Sequence, residues 1–300
     1  MATAVCTSTY VNDHHDVKAL VNYLPVDKKD FGPDDMPAPK KFGDFIESSR
    51  YMTFHNARGK EDSFKLDRNG FEIVTLPEKE RDISTDDKIK ERFYPELIEV
   101  IKKRTGASTV VPFAHVLRRT ENTFFAEAVD SERYNRFSTV WPHSDFSVVY
   151  PERLPFLKDA ILNYDGIPED RRDELKEAAK TASRWAFVQM WKPLKKLERD
   201  PLALCDSTTL STGDWRFRQA EDPNISYSLL AHPEEEEKHA WYYVHEMKPN
   251  EMFVFKGCDS RQGEPGFTGY AGAHTAIVLP DSHDKPPRES IEARFFCLWE

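Results

Sequence analysis

Apolar and polar positions change rhythm along this chain, and the rhythm predicts its elements. In "STDDKIKERFYPELIEVIKKRTGA" (from Ser84), Leu97, Val100 and Ile101 form a stripe at helical spacing. Ser84 and Thr85 offer caps, acids come early, Lys102 to Arg104 come late and Gly106 stops the run; Pro95 should split or kink it. A second, highly charged helical stretch starts in "EDRRDELKEAAK" and passes into β-favouring residues near Phe187. Elsewhere the period is two. "SFKLDRNGFEIVTLP" reads as a hairpin around Asn69-Gly70, with Phe71, Ile73 and Thr75 alternating after the turn. "STVVPFAHVL" reads as a strand. After about residue 205 strands and turns dominate: "ISYSLLA", "HAWYYVH", "EMFVFKG", "HTAIVLP" and "SIEARFFCLW". An antiparallel β core with helices packed outside is expected.

Neither a Gly/Ser linker nor an internal repeat divides the chain, so one domain over residues 1–300 is expected. It would hold a loop and helix portion at about 1–107, a β core at about 108–300, and a helical insertion at about 165–205. Composition narrows the function. Of the 300 residues, 39% are hydrophobic and 31% charged, which suits a globular protein with a real core. A net charge of −10 disfavours nucleic acid and anionic membrane as partners, since both want a basic surface. No run of 18 apolar residues spans a bilayer, and "MATAVCTSTYVNDHHD" lacks a secretory pattern. Cys6, Cys205, Cys258 and Cys297 are scattered, so a reduced, cytoplasmic chain is expected. The acidic "PEEEEKH" at 233–239 reads as a solvated loop, and oligomeric state is not legible.

Candidate chemistry starts at "WPHSDFSVVY". Residues i and i+2 of a strand point to one side, so His143 and Asp145 deliver an imidazole and a carboxylate to one point. With 10 histidines and 52 acids, about one or two His-x-acid pairs arise by chance, and three occur: His14/Asp16, His143/Asp145 and His232/Glu234. Only His143 lies in an apolar, alternating segment, where Phe137, Thr139, Trp141, His143 and Asp145 share a face. A third ligand from a distant strand would complete a two-histidine, one-carboxylate facial triad of the kind that holds Fe(II) with three positions left open, and His274 stands at the start of a late strand. Taken alone, His143 could equally be a satisfied core histidine.

The C-terminal segment strengthens the metal reading. In "PPRESIEARFFCLWE", Ile291, Ala293, Phe295, Cys297 and Trp299 form one face, and Arg288, Ser290, Glu292 and Arg294 the other. Inward arginine and serine are costly unless an anion meets them; the alternative is a solvated face with Glu292 pairing Arg294. A dicarboxylate such as 2-oxoglutarate would chelate iron through its keto-acid end. Its distal carboxylate would then be left for the Arg288 fork and the Ser290 hydroxyl.

At this point the chain resembles the fungal hydroxylase/desaturase family of gibberellin desaturase-like and cephamycin methoxylation protein-like enzymes. These are non-heme Fe(II), 2-oxoglutarate-dependent oxygenases of specialised metabolism. The resemblance runs through "VNYLP", "SFKLDRNGFEIV", "FYPELIEVIKKRTGAS", "MWKPLKKLERDPLALCD", "WYYVHEMKPNEMFVFKGCDS" and "PPRESIEARFF". It implies a double-stranded β-helix (jelly-roll, cupin-like) core, His143, Asp145 and His274 as iron ligands, and Arg288 and Arg294 as the candidates to serve the cosubstrate. Departures are Ala114 where relatives carry an acid, and Trp191-Lys192-Pro193 where they read Trp-Arg-Pro. Trp191 and Lys192 are the substrate-pocket candidates that the motif suggests.

The expected function is therefore oxidation of a C–H bond of a small molecule (hydroxylation, desaturation or cyclisation), using Fe(II), 2-oxoglutarate and O2. An iron oxidase that dispenses with 2-oxoglutarate, or a non-catalytic cupin-like binding protein, are the alternatives. His115 with Arg118 and Arg119, and Tyr227, read as structural. Lys256, Asp259 and Ser260 would lie either at the mouth of the site or in a turn.

Overall fold

The computed structural model describes residues 8–32, 47–79, 81–118, 141–219, 226–232 and 238–300. Its alternating segments form two packed sheets. The five-stranded sheet is antiparallel throughout, in the order Phe71–Thr75, Glu251–Asp259, Arg184–Pro193, Ser290–Trp299, Thr109–Arg118. One face lies under the helix Tyr94–Thr105, where Leu97 and Ile101 share a core with Val188, Met190, Ile291, Ala293 and Phe295. On the other face Trp191, Phe253 and Phe255 pack with Leu202 and Leu204 of the second sheet. That ten-stranded sheet has at its middle Trp241–Tyr243, Leu202–Cys205, His274–Ala276, His143–Asp145 and Ser226–Leu230, in that order. The chain is thus mainly β with flanking helices, as the alternation predicts. No helix among the described residues is long and apolar enough to cross a membrane.

The helix interrupted by Pro95 shows how a proline is accommodated. Thr85 caps a short α-turn, Asp86–Lys88, by accepting from the Lys88 backbone amide. A wide π-turn, Ile89–Phe93, follows, and the α-helix restarts at Tyr94 with Pro95 in its first turn, where a missing N–H is tolerated. Gly106, at φ 72°, ends the helix in the left-handed conformation.

Three expectations need correction. Asn69-Gly70 does not make a hairpin: Leu66–Asn69 is one helical turn, Gly70 caps it at φ 78°, and the strand Phe71–Thr75 pairs with Glu251–Asp259. A helix cap and a hairpin turn ask for the same left-handed glycine, so the dipeptide alone cannot separate them. The helical insertion also ends earlier than 205. Leu154–Leu162 and Glu169–Thr181 are helices, but Arg184–Pro193 is the middle strand of the five-stranded sheet and Leu202–Cys205 lies next to His274–Ala276. Both strands are buried on both faces, which erases the period-two signal. Nor is the portion before 108 only loop and helix, since Val17–Val21 and Arg50–Asn56 join the larger sheet. Residues 233–237 of the acidic segment lie outside the described residues.

Candidate metal centre

Neighbouring strands bring the three expected ligands together. His143 and Asp145 occupy the ends of the strand His143–Asp145, and His274 pairs directly across from His143. The two imidazole centroids are 4.2 Å apart. One ligand atom from each of His143, Asp145 and His274 falls within 4.8 Å of the others, and all three residues are buried. Among the described residues this is the one such group of three or more His, Cys, Asp or Glu. Of the face expected to share this side, residues 137 and 139 lie outside the described residues. Trp141 precedes the strand, fully buried.

Hydrogen bonding fixes which nitrogen of each ring is available. His143 Nδ1 meets the Trp141 carbonyl at 2.7 Å, and His274 Nδ1 meets the Gly272 carbonyl at 3.1 Å. A carbonyl can only accept, so Nδ1 carries the proton and Nε2 presents its lone pair. His143 Nε2 is 3.4 Å from Asp145 Oδ1. Two lone pairs and a carboxylate thus converge, an arrangement that is favourable when the three share a cation. Charge states agree. Burial, with His143 adding and Asp145 opposing, pushes His274 down to about 3, so the ring is neutral. Burial alone would raise Asp145, but His143, Arg294 and His274 together hold its carboxyl well below the usual range. Two imidazole Nε2 atoms and one carboxylate on adjacent strands fit a divalent iron held from one side.

The second oxygen of Asp145 is held separately. Arg294 Nη2 contacts Asp145 Oδ2 at 3.2 Å and Glu292 Oε1 at 2.7 Å. Gln189 faces the same two carboxylates. With its amide nitrogen turned to them, the orientation that acceptor-only neighbours require, it donates to Asp145 Oδ2 at 3.1 Å and Glu292 Oε1 at 3.2 Å. Both readings of the last strand therefore hold in part: its polar face points inward, and Glu292 does pair Arg294. Gln189 is not singled out by the sequence. Its parity with Trp191 on one strand was the available signal.

Arg288 and Ser290 lie at the start of that strand. Arg288 is buried, donates to the Asp200 carbonyl at 2.8 Å, and stacks over Trp191 at 5.3 Å. Burial, with Arg118 adding and Asp200 and Glu292 opposing, pushes its guanidinium down to about 9. Ser290 Oγ is buried without a hydrogen-bond partner among the described residues. A buried cation under that pressure beside an unsatisfied hydroxyl fits a carboxylate ligand.

Comparison with known proteins bears on the same centre. The family described as "Oxidoreductase/YMDC permease-like domain" matches residues 9–298. An alpha-ketoglutarate-dependent dioxygenase, phiK of a fungal species, is 30% identical over 246 residues, covering 79% of this chain and 80% of phiK. The hydroxylase/desaturase efuI of Hormonema carpetanum is 29% identical over 270 residues, 83% of each chain. The chain belongs to this family of fungal hydroxylase/desaturases and dioxygenases. The solved structure of the iron and alpha-ketoglutarate-dependent endoperoxidase NvfI superposes with a TM-score of 0.68 at 21% identity, covering 98% of both chains. The fold of this hydroxylase/desaturase is accordingly the expected double-stranded β-helix.

The other candidates in this family member do not join the three-residue cluster. Lys192 cannot share a pocket with Trp191: consecutive strand residues face opposite sides, and Lys192 lies 5.8 Å from the Phe93 ring beneath the helix. His115 bridges the Tyr94 hydroxyl (2.7 Å) and Asp86 (3.1 Å), a structural tie. Arg119 is outside the described residues, as are Glu234 and the Tyr227 side chain. Asp16 is occupied by the Asn56 amide at 2.7 Å and by His55 at 3.0 Å. Lys256 and Asp259 form a buried ion pair at 2.6 Å within a strand, not a turn, and Ser260 Oγ accepts from the Trp185 amide. Cys205, Cys258 and Cys297 are buried free thiols that burial pushes up, which removes thiolate chemistry.

Proposed function

We propose that His143, Asp145 and His274 bind Fe(II) and that Arg288, with Ser290, anchors the distal carboxylate of 2-oxoglutarate, in a single-domain cytoplasmic enzyme acting on a small molecule. The protein is an Fe(II)/2-oxoglutarate-dependent oxygenase. Bound together, iron, 2-oxoglutarate and O2 supply an oxidant strong enough to take hydrogen from an unactivated C–H bond, with succinate and CO2 released. What the chain contributes is geometry. Nδ1 bonds to backbone carbonyls hold both rings with Nε2 facing inward. Arg294 and Gln189 hold Asp145 Oδ2, leaving Oδ1 for the metal. Phe146 follows Asp145 directly at φ 45°, a strained left-handed turn that sets its ring under the Arg294 guanidinium at 5.6 Å. Its buried neighbours Phe113 and Phe187 keep that side dry.

The convergence of two Nε2 lone pairs and one carboxylate carries this reading. Hydroxylation, desaturation and cyclisation all start from the same hydrogen removal, and Trp191, stacked with Arg288, would line the substrate side. Anaerobic Fe(II) titration should give one tight site per chain, lost in His143→Ala and Asp145→Ala, and oxygen uptake should require added 2-oxoglutarate. Unchanged iron binding in both variants would sink the ligand assignment. Oxygen uptake indifferent to 2-oxoglutarate would point to an oxidase, and a wild-type chain without iron affinity to a binding protein.

A further inference from the structure

Both ligand strands rest on one irregularity in the opposite sheet. In the strand Glu251–Asp259 the pairing with Arg184–Pro193 slips between Lys256 and Cys258, leaving Gly257 as the extra residue of a bulge. This bulge touches each arm of the centre. On the His143–Asp145 arm, the Gly257 carbonyl accepts from Ser144 Oγ at 3.2 Å, between the two ligands. A Cβ at Gly257 would lie 2.3 Å from the Asp145 carbonyl oxygen, and 2.0 and 2.4 Å from Phe187 ring carbons. On the His274 arm, the Lys256 carbonyl accepts from the Gly272 amide at 2.6 Å, and the Gly272 carbonyl in turn orients His274 Nδ1. The bulge itself is pinned from behind. Lys256, almost wholly buried, is clamped by Asp259 at 2.6 Å and Asp67 at 2.5 Å, and Arg184 binds the same two carboxylates.

We propose that the Lys256–Gly257 bulge is the positioning device of the metal centre, and that Gly257 is glycine because a side chain there would displace Asp145. This rests on the iron-binding reading above. Ordinary van der Waals separation from the Asp145 oxygen requires a shift of about 1 Å, and losses of about 10- to 100-fold in metal affinity are typical when groups supporting the ligands are disturbed.

The test is anaerobic Fe(II) titration of the full chain, with far-UV circular dichroism as the check on folding. Gly257→Ala should bind Fe(II) about 10- to 100-fold more weakly than wild type. In Gly257→Ala/Phe187→Ala the aromatic ring carbons are gone and the Asp145 carbonyl still meets the new methyl, so Fe(II) affinity should stay low. Wild-type affinity in Gly257→Ala, or its recovery in the double variant, would overturn the proposal, the second by showing that Gly257 serves only Phe187 packing. If both alanine variants fail to fold, Ser144→Ala decides, since it removes only the hydroxyl contact to Gly257. Weaker Fe(II) binding in that variant supports the device and unchanged binding overturns it. A wild-type chain that binds no Fe(II) would instead remove the iron reading itself.

Discussion

Replacing Lys192 with methionine should stabilise this protein, and the reason lies in where the strand turns that side chain. Lys192 is 3% exposed; its Nζ donates to the Pro193 carbonyl at 3.2 Å and lies over Phe93. Burial first, then the nearby Arg81, with Glu96 opposing, pushes its ionisation down to about 8. Keeping charged a lysine that would otherwise ionise near 10.4 costs about 3 kcal/mol. Methionine keeps most of the stem and removes that cost, at the loss of one hydrogen bond of about 1 kcal/mol. The net gain at pH 7 is about 2 kcal/mol. Its pH dependence has a definite sign. A lysine depressed in the folded state costs stability fully below about 8, and the cost fades as pH rises toward about 10.4, where the unfolded chain also loses its proton. Urea unfolding of wild type and Lys192→Met at pH 7 and pH 10 measures both. A variant less stable at pH 7, or a gap that does not narrow by pH 10, would refute the reasoning. Turnover with 2-oxoglutarate should be unchanged, because Gln189 and Trp191 face the centre and Lys192 does not.

Arg288→Ala should weaken 2-oxoglutarate binding about 30- to several-thousand-fold, from about 2–5 kcal/mol for a truncated buried charge pair. Its Fe(II) binding should stay, whereas Arg294→Ala should weaken Fe(II) through Asp145; 2-oxoglutarate titration showing no change in Arg288→Ala would move the anchor to Arg294. Burial would raise Asp214, but contacts with His239 and the Ser211 amide lower it to about 2. It therefore adds stability above its ordinary value of about 3.9, lost as pH falls toward about 2, and Asp214→Asn should flatten the acid limb of a urea-midpoint profile between those values.

The candidate metal ligands are legible because their spacing is a property of the strand itself. His143 and Asp145 share a face by parity, and so do Ser290, Glu292 and Arg294. His274 could be proposed as partner, but its pairing with His143 is a register across strands 131 residues apart (274 − 143), which periodicity does not encode. Segments buried on both faces hide for a different reason: Arg184–Pro193 has no alternation to show, so it reads as the tail of an insertion. Gln189 was invisible within it. Gly257 was missed because a bulge announces itself only through its partner strand, and glycine in a strand has several causes.

Electrostatics explains why such a polar strand can end inside a jelly roll. Asp145 and Glu292 meet Arg294 beside the candidate ligands, while Arg288 and Arg118 lie near the start of the same strand. The His274 ring is neutral, and Asp200 pairs with Arg199 at 3.2 Å. Proposed Fe(II) adds two positive charges and 2-oxoglutarate two negative ones, so loading both leaves the net charge of the centre unchanged. Either one alone would leave an uncompensated double charge in a dry interior, where that is costly. The same balance separates the two arginines. Arg294 already neutralises Glu292 and shares Asp145, so it has little field left for a third carboxylate. Arg288 donates to the Asp200 carbonyl and lies buried near the start of the strand that carries Ser290, where an incoming dicarboxylate would meet both.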